Sequence, residues 1–539
     1  MYYDAGMEIS DSKESVAKSA LHFLTGTFMS RITGMVRDLS MAFCFGVTPA
    51  VATFLIAFRL SNLLRRLFGE GALLNGFIPF FEARRRENPA GGAYFFRDIF
   101  WSLSLLLAGI IGSLEALLIP LYTLAPFSSG VSDTLLLLII QLPGLMFICL
   151  FGLSMALLQC EKKFFIPGIA PVAFNTIWIA AVWILRGYEP IIAMRWLSFA
   201  AVCAFALQWL VTVIPVKKYI RSFITLKEWF SPKLFGEDLK LMVAPVMFGV
   251  IGVAAIQINS ALDILMARFI STSGPALLSY AHRVQQLPIA LFAIAISSAL
   301  MPPLSRAIKK DQYDEYRSLI QYGLMRTYTL LLPGTIAIFV LGLSSINLLY
   351  GRGQFNVEAV YGTTFCLWAY GVGIIPIAFI LLLAPAYYAR RDYRTPMIGS
   401  LISVAVNIIL NLVLIFGFKL GPVAIAFSTS ITSFVNLLFL TKRLQIDILK
   451  KMKSDFIRVG LSAVFAGAIT AIIAFTLYDD ASIALLLGDH SVMLTRDFRE
   501  QLTNFTSLTF IYGVMFFFWA FVFKAKSALD LLPLKQKVS

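Results

Sequence analysis

The sequence predicts an all-α polytopic membrane protein of about fourteen transmembrane helices, arranged as two six-helix lobes plus two extra C-terminal helices. Three observations carry that prediction. Of 539 residues, 59% are apolar and 14% charged, whereas a soluble domain carries about a quarter charged residues. Apolar runs of about 20 residues, enough to cross about 30 Å of hydrocarbon, recur from end to end. Basic residues crowd into every second loop. A β-barrel would show short alternating segments instead.

The apolar runs place spans near 18–45, 49–81, 98–120, 134–159, 164–185, 191–215, 241–269, 276–304, 319–343, 357–388, 396–416, 421–440, 459–477 and 504–523. The corresponding segments are a tail (1–16), an N-lobe of helices 1–6 (17–216), a linker (217–240), a C-lobe of helices 7–12 (241–443), helices 13–14 (444–524) and a second tail (525–539). An even number of crossings puts both termini on one side. One alternating loop set holds Arg84–Arg86, Lys162 and Lys163, Lys217 to Lys240, Arg306 to Arg317, Arg390 to Arg394 and Lys442 to Arg458. The other holds only Arg186, Arg195, Arg352, Lys419, Arg496 and Arg499. The basic set belongs in the cytoplasm, and both termini with it. The loop at 479–502, with Asp479, Asp480 and Asp489, then faces outward.

Composition excludes several classes. The net charge of +15 follows from basic cytoplasmic loops, so no nucleic-acid partner is expected. Cys44, Cys149, Cys160, Cys203 and Cys366 lie in or beside apolar runs with no CxxC pair, and read as packing residues. Three histidines leave little for a zinc site. No P-loop is present, nor a catalytic serine–histidine or paired-carboxylate pattern, so a transporter is expected rather than an enzyme. Residues 1–16 are polar, and the first apolar run lacks a small-residue cleavage site, so no cleavable signal is expected.

The chain repeats itself. IAFRLSNL (56–63) matches YAHRVQQL (280–287), and Pro79 and Pro303 each follow the matched arginine by twenty residues. LQCEKKFFIP, ending at Pro167, matches YYARRDYRTP, ending at Pro396. The offsets, 224 and 229, belong to one alignment. A repeat shifted by six helices implies two lobes of the same orientation, a transporter arrangement.

The first two helices carry unexpected charge: Arg31, Arg37 and Asp38, then Arg59, Arg65, Arg66 and Glu70. A charge at mid-membrane costs about 2.5–3.5 kcal/mol on insertion scales. Arg65 and Arg66 can snorkel toward the helix end. Arg31 and Asp38 share one helix face, as do Arg59, Asn62 and Arg66. Internal ion pairs that fix packing are one reading. The other is a hydrated cavity awaiting an anion, because the arginines, with Arg283 from the second lobe, outnumber Asp38 and Glu70. Forked guanidiniums pair well with phosphate, and a diphosphate engages several of them. A lipid with a diphosphate headgroup fits, although composition alone does not choose it over another anion.

SRITGMVRD, AFRLSNLLRRLFGEGALLNGFIP, YAHRVQQLP and LAPAYYARRDYRTP resemble the MurJ (MviN) lipid II flippase family of the MOP superfamily, which also holds MATE drug carriers. The resemblance runs to about residue 440. It implies an inner-membrane carrier that moves lipid II from the inner to the outer leaflet by alternating access, with membrane lipids around it, as a monomer. It maps essential cavity arginines to Arg31, Arg37, Arg65 and Arg283, with Asp38, Asn62, Arg66 and Glu70 at other motif positions. Ala52, His282 and Gln286 stand where the family often has acids, which makes the cavity more positive. An alternative is another MOP-type exporter, either a lipid-linked oligosaccharide flippase or a MATE-like drug exporter. The arginines oppose a cationic drug.

Asp263 in IQINSALD, Asn407 and Asn411 one turn apart, and Ser428 and Thr429 supply oxygens suited to a hard cation. Some members of the family hold Na⁺ at such a place, so Na⁺ is the coupling ion to test; no other cofactor is expected. Pairing of Asp263 with Arg268 is the competing reading. FSPKLFGEDLK (230–240) predicts an interfacial helix. VMFFFWAFVF (514–523) predicts a lipid-facing helix.

Overall fold

The computed structural model describes residues 13–68, 72–237, 257–444, 453–477, 485 and 494–532. Among these the regular secondary structure is all helical. Nine helices are long and apolar enough to cross a membrane, or eleven if each of two bent pairs is one span. Three expected spans lie outside that reckoning. The first is charged α1 (Lys13–Phe45). The second, near 49–81, is two helices, α2 (Pro49–Phe68) and α3 (Ala72–Glu87). The third, near 241–269, is described only over its end, α10 (257–270).

Contacts divide the chain into two compact units, residues 1–44 with 53–261, and residues 45–52 with 262–539. In the first unit α4 (Pro89–Leu124) starts where Asn88 accepts the Ala90 N–H at 3.0 Å and Pro89 takes the first helical position. α5 (Ser129–Gln141) and α6 (Gly144–Cys160) form a pair bent by 41°, with the break at Pro143, which has no N–H to continue the ladder. α7 (Phe165–Ile184) and α8 (Pro190–Arg221) follow. The core gathers Phe77 and Phe81 of α3, Phe96 and Leu107 of α4, and Leu153 and Leu157 of α6.

The linker after α8 is tied down. Helix α9 (Leu226–Trp229) is one turn closed by a reciprocal cap between Thr225 and Glu228. No helix spans 230–237, contrary to the interfacial helix expected from 230 onward; 238–240 lie outside the described residues. Pro232 lacks an N–H, Phe235 sits at φ +51°, and the N–H groups of Lys233 and Phe235 donate to Asp98 and Ser102 on α4, at 2.9 and 3.1 Å. Side chains of α4 thus satisfy the backbone that a helix would have satisfied internally.

The second unit contains α11 (Gly274–Pro288), α12 (Ile294–Lys309), α13 (Tyr313–Tyr350), α14 (Val357–Gly371), α15 (Ile374–Ala389), α16 (Arg394–Leu412), α17 (Val423–Leu444), α18 (Lys453–Leu477), α19 (Phe498–Val522) and the short α20 (Lys526–Leu529). α14 and α15 are bent by 46°. A Cβ on Gly373, at that bend, would lie 2.7 Å from Ser430 Oγ on α17, so only glycine lets the two backbones approach. α19 buries Tyr512, Phe516 and Ala520 against α18 and α13, and exposes Phe510, Phe518 and Phe521. The Phe-rich helix therefore has one packed face and one bare apolar face.

The repeat expected from sequence recurs as packing. In the first unit α3 packs on α4 and α6, α6 on α8, and both α5 and α7 on α8. Nine elements later α12 packs on α13 and α15, α15 on α17, and both α14 and α16 on α17. Pro79 in α3 and Pro303 in α12 occupy matching helices, and the bent pairs correspond.

Candidate functional site

α1 is the unusual element, because apolar spacing makes it a helix yet its second half carries Arg31, Arg37 and Asp38. Gly26 brings it against α7: an added Cβ would sit 3.0 Å from Gly168 C and Ile169 N. Close approach through small residues is a common way for membrane helices to associate. Further along, Asn175 of α7 donates to the Ser30 carbonyl at 3.2 Å and to Thr33 Oγ1 at 2.9 Å. Its own Oδ1 accepts from Arg37 Nη1 at 3.2 Å.

Arg37 is consequently spoken for. Its Nε and Nη2 donate to Asp38 Oδ1 at 2.9 and 2.8 Å, with side chains only 12% and 20% exposed. Its guanidinium lies over Trp178 and Phe174, 5.2 and 5.9 Å from the ring centroids. The surplus of uncompensated arginine expected on this helix does not include Arg37, because the adjacent carboxylate neutralises it and α7 cages it. This is the internal ion pair that fixes packing. Asp38 turns to its neighbour rather than pairing with Arg31 along the helix face.

Arg31 is different. It is exposed, among the exposed apolar side chains Phe28, Ile32 and Met35, and no carboxylate among the described residues pairs with it. On α2, Arg59 is half-buried, and Asn62 donates to its own helix at the Phe58 carbonyl, 2.9 Å away. Arg65 and Arg66 are in α2, but their side chains, and Glu70 altogether, lie outside the described residues. Ala52, in place of a family acid, is fully buried.

In the second unit Arg283 reaches an exposed position on α11. Its neighbour His282 is held at both ring nitrogens, Nδ1 3.0 Å from Gln285 Oε1 and Nε2 2.8 Å from Gln286 Nε2. Buried Gln285 donates onward to the Tyr370 carbonyl at 3.0 Å. Two of the three replacements for family acids, His282 and Gln286, therefore bond to each other.

The oxygens expected to suit a cation do come together within this unit. Asn411 Nδ2 donates to Asp263 Oδ1 at 2.9 Å and to Asn407 Oδ1 at 3.0 Å. Thr429 Oγ1 reaches Asp263 Oδ2 at 3.4 Å. Arg268 points elsewhere and donates to the Thr272 carbonyl at 2.9 Å. Asn407, Asn411 and Ser428 are buried, and Asn411 Oδ1 and Ser428 Oγ have no hydrogen-bond partner. The unpartnered Asn411 oxygen, on a side chain bonded to the Asp263 carboxylate and to Asn407, with the Thr429 hydroxyl at the other carboxylate oxygen, is a donor set that fits a small hard cation. Among the described residues no three His, Cys, Asp or Glu side chains gather as they would for a transition metal.

Sequence reasoning singled out His282 and Gln286 but missed Asn175, Trp178 and Gln285, the residue that ties His282 to the Tyr370 carbonyl. A lone amide in the otherwise apolar α7 was the available signal for Asn175, since a polar group in lipid needs a partner.

Comparison with known proteins places this architecture. The family model described as lipid II flippase MurJ matches residues 41–488. A probable lipid II flippase MurJ of Chlamydia muridarum is 35% identical over 431 residues, covering 80% of this chain and 78% of the relative. One from Vibrio cholerae is 28% identical over 461 residues, covering 82% and 85%. A solved lipid II flippase MurJ in an inward closed conformation superposes with a TM-score of 0.70 at 24% identity, covering 92% of this chain and 98% of that one. An inward-facing MATE multidrug transporter of the MOP superfamily does so at 0.63 and 15% identity, covering 80% and 99%. With a helical repeat, a charged first helix and relatives across most of its length, the chain belongs to the lipid II flippase MurJ family.

Proposed function

We propose that this protein carries lipid II, the undecaprenyl-diphosphate-linked peptidoglycan precursor, from the inner to the outer leaflet of the bacterial cytoplasmic membrane by alternating access. The observation that carries this reading is the family match over residues 41–488. The chemistry agrees with it. Arg31, Arg59 and Arg283 are the guanidiniums we assign to the headgroup diphosphate, and the family motif adds Arg65 and Arg66. Forked donors suit a diphosphate because each engages two oxygens. Arg37, Asp38 and Asn62 hold the geometry of their own helices. The basic ends of the helices face the cytoplasm, as do both termini.

We further assign Asp263, Asn407, Asn411 and Thr429, with Ser428, to a Na⁺ site. The ion supplies charge compensation, and the residues supply the cradle. A coupling charge moved across the membrane contributes about 2.3 kcal/mol per 100 mV.

Depletion with complementation tests the transport reading. Cells depleted of their own flippase and supplied with this protein should grow, and the Arg283→Ala variant should leave lipid II in the inner leaflet. Full rescue by that variant, at matched expression, would remove Arg283 from the binding groups.

A further inference from the structure

We propose that residues 222–237 form a membrane-surface anchor, a fixed strap that seats Leu226 and Phe230 in the headgroup layer of a leaflet rich in anionic lipid. The first support is location. The span Pro190–Arg221 ends immediately before the strap, and the strap is lashed to the start of the span Ala90–Leu124. Two spans that end together fix the depth of whatever joins them there, which is the bilayer surface.

The second support is rigidity. Tyr94 Oη donates to Glu228 Oε1 at 2.6 Å, Arg97 Nη1 to the Glu228 carbonyl at 3.0 Å, and Trp101 Nε1 to the Trp229 carbonyl at 2.9 Å. Asp98 and Ser102 accept the Lys233 and Phe235 N–H groups. Trp229 turns inward, with ring centroids 5.2 Å from Phe100 and 6.4 Å from Phe96. The strap is thus ordered before it meets anything, and inserting it costs little conformational entropy.

The third support is what remains outside. Leu226 is 67% exposed and Phe230 65%, with Leu234 and Phe235 also exposed. Four bare apolar side chains within ten residues of an otherwise latched segment mark an interaction surface. Around it Lys217, Lys218, Arg221, Lys227 and Lys233 are all exposed. Glu228 is taken up by the latch, which leaves Glu237 as the exposed acid of the segment. Apolar side chains flanked by cations match the interface of an anionic leaflet, where lysine and arginine stems lie along the surface with their charges among the headgroups.

The test uses the full-length protein, with Cys160 and Cys203 replaced, in nanodiscs of phosphatidylcholine alone or mixed with phosphatidylglycerol. Leu226→Cys, Phe230→Cys and Lys227→Cys each carry an environment-sensitive fluorophore. Labels at 226 and 230 should be quenched by headgroup-region spin-labelled lipid and shielded from iodide severalfold better than the label at 227. The shielding should deepen with phosphatidylglycerol. Glu228→Gln together with Tyr94→Phe should loosen it while the melting temperature of the whole protein stays close to that of the parent. Equal iodide quenching at all three positions would overturn the anchor. So would shielding that ignores phosphatidylglycerol, or shielding that appears only when a cytosolic protein fraction is added.

Discussion

Lys162 and Arg391, 229 residues apart, hold the same left-handed backbone, at φ +57° and +61°. Each follows a bent helical pair. Each is succeeded by an N–H that reaches back five residues, Lys163 to the Leu158 carbonyl at 2.8 Å and Asp392 to the Tyr387 carbonyl at 3.0 Å. A proline follows each after five residues, at Pro167 and Pro396. The left-handed turn also closes helices at Asp311 and Lys524, but the form that follows a bent pair and precedes a proline by five residues recurs in the two units at the offset the sequence repeat requires.

That turn gives the first prediction. A left-handed residue costs roughly 1–2 kcal/mol for an L side chain, and far more strain for a β-branched one. Lys162→Val and Arg391→Val should each destabilise the protein by about 1–2 kcal/mol, seen as a lower melting temperature in detergent. Lys162→Gly and Arg391→Gly should be neutral within about 0.5 kcal/mol. Equal tolerance of valine and glycine would contradict the shared turn.

The α1–α7 crossing gives the second. A Cβ at Gly26 would meet backbone atoms at 3.0 Å, and backbone cannot rotate away as a side chain can. Gly26→Val should separate the helices and cost about 1–3 kcal/mol. Gly34, whose nearest neighbour would be Asn175 Nδ2 at 3.6 Å, should accept alanine. A melt of each variant decides between them.

Glu228 gives a pH prediction. The hydroxyl of Tyr94, then the backbone N–H and hydroxyl of Thr225, hold its pKa down to about 2, against an ordinary 4.5. A depressed carboxylate contributes stability above its unfolded pKa and loses it as pH falls through the folded one. The strap should therefore stay latched from neutral pH to about pH 4.5 and release as pH drops toward about 2. A nitroxide at position 227 should stay restrained at pH 5 and become mobile only near pH 2–3. Mobilisation between pH 7 and pH 5 would contradict the latch.

Much of this was legible in the sequence because it rests on periodicity and composition. Apolar run length gave eleven of the fourteen expected spans, each bent pair counted as one, and Arg59/Arg283 with Pro167/Pro396 gave the repeat. Asp263, Asn407, Asn411 and Thr429 were found together because a polar side chain in an apolar run must be answered by another. What stayed hidden depends on direction rather than spacing. Nothing in SRITGMVRD says that Asp38 turns to Arg37 instead of along the face to Arg31. That choice is made by Asn175 and Trp178, which lie about 140 residues away in sequence. The strap was misread for a related reason: a run of aromatic and basic residues reads as a helix until Asp98 and Ser102 of another helix take its N–H groups.

The cation cradle gives a fourth prediction. A ligand that binds only the folded state stabilises by RT ln(1 + [L]/Kd), about 2.7 kcal/mol at a hundredfold excess over Kd. Replacing choline with Na⁺ at constant ionic strength should raise the melting temperature of the parent. Asp263→Asn and Asn411→Ala should abolish that increment. A parent protein indifferent to Na⁺ would remove the ion from the mechanism and leave Asp263 as a hydrogen-bonded core residue.

The last prediction separates the two arginines of α1. Arg37 is compensated by Asp38 and caged by Asn175 and Trp178, so removing it takes this ion pair and these ring contacts from a half-buried place between α1 and α7. Arg37→Ala should destabilise by about 1–3 kcal/mol, below the cost of fully buried pairs because both side chains keep some exposure. Asp38→Ala should cost a similar amount, and the double variant less than the sum. Arg31 is exposed and unpaired among the described residues, so Arg31→Ala should leave the melting temperature within about 0.5 kcal/mol of the parent. If Arg31 binds diphosphate, that stable variant should nevertheless fail to complement a flippase depletion. Arg31→Lys should complement poorly, because an ammonium lacks the planar fork that grips two oxygens. A stable Arg31→Ala protein that restores growth would show that its guanidinium takes no part in binding cargo.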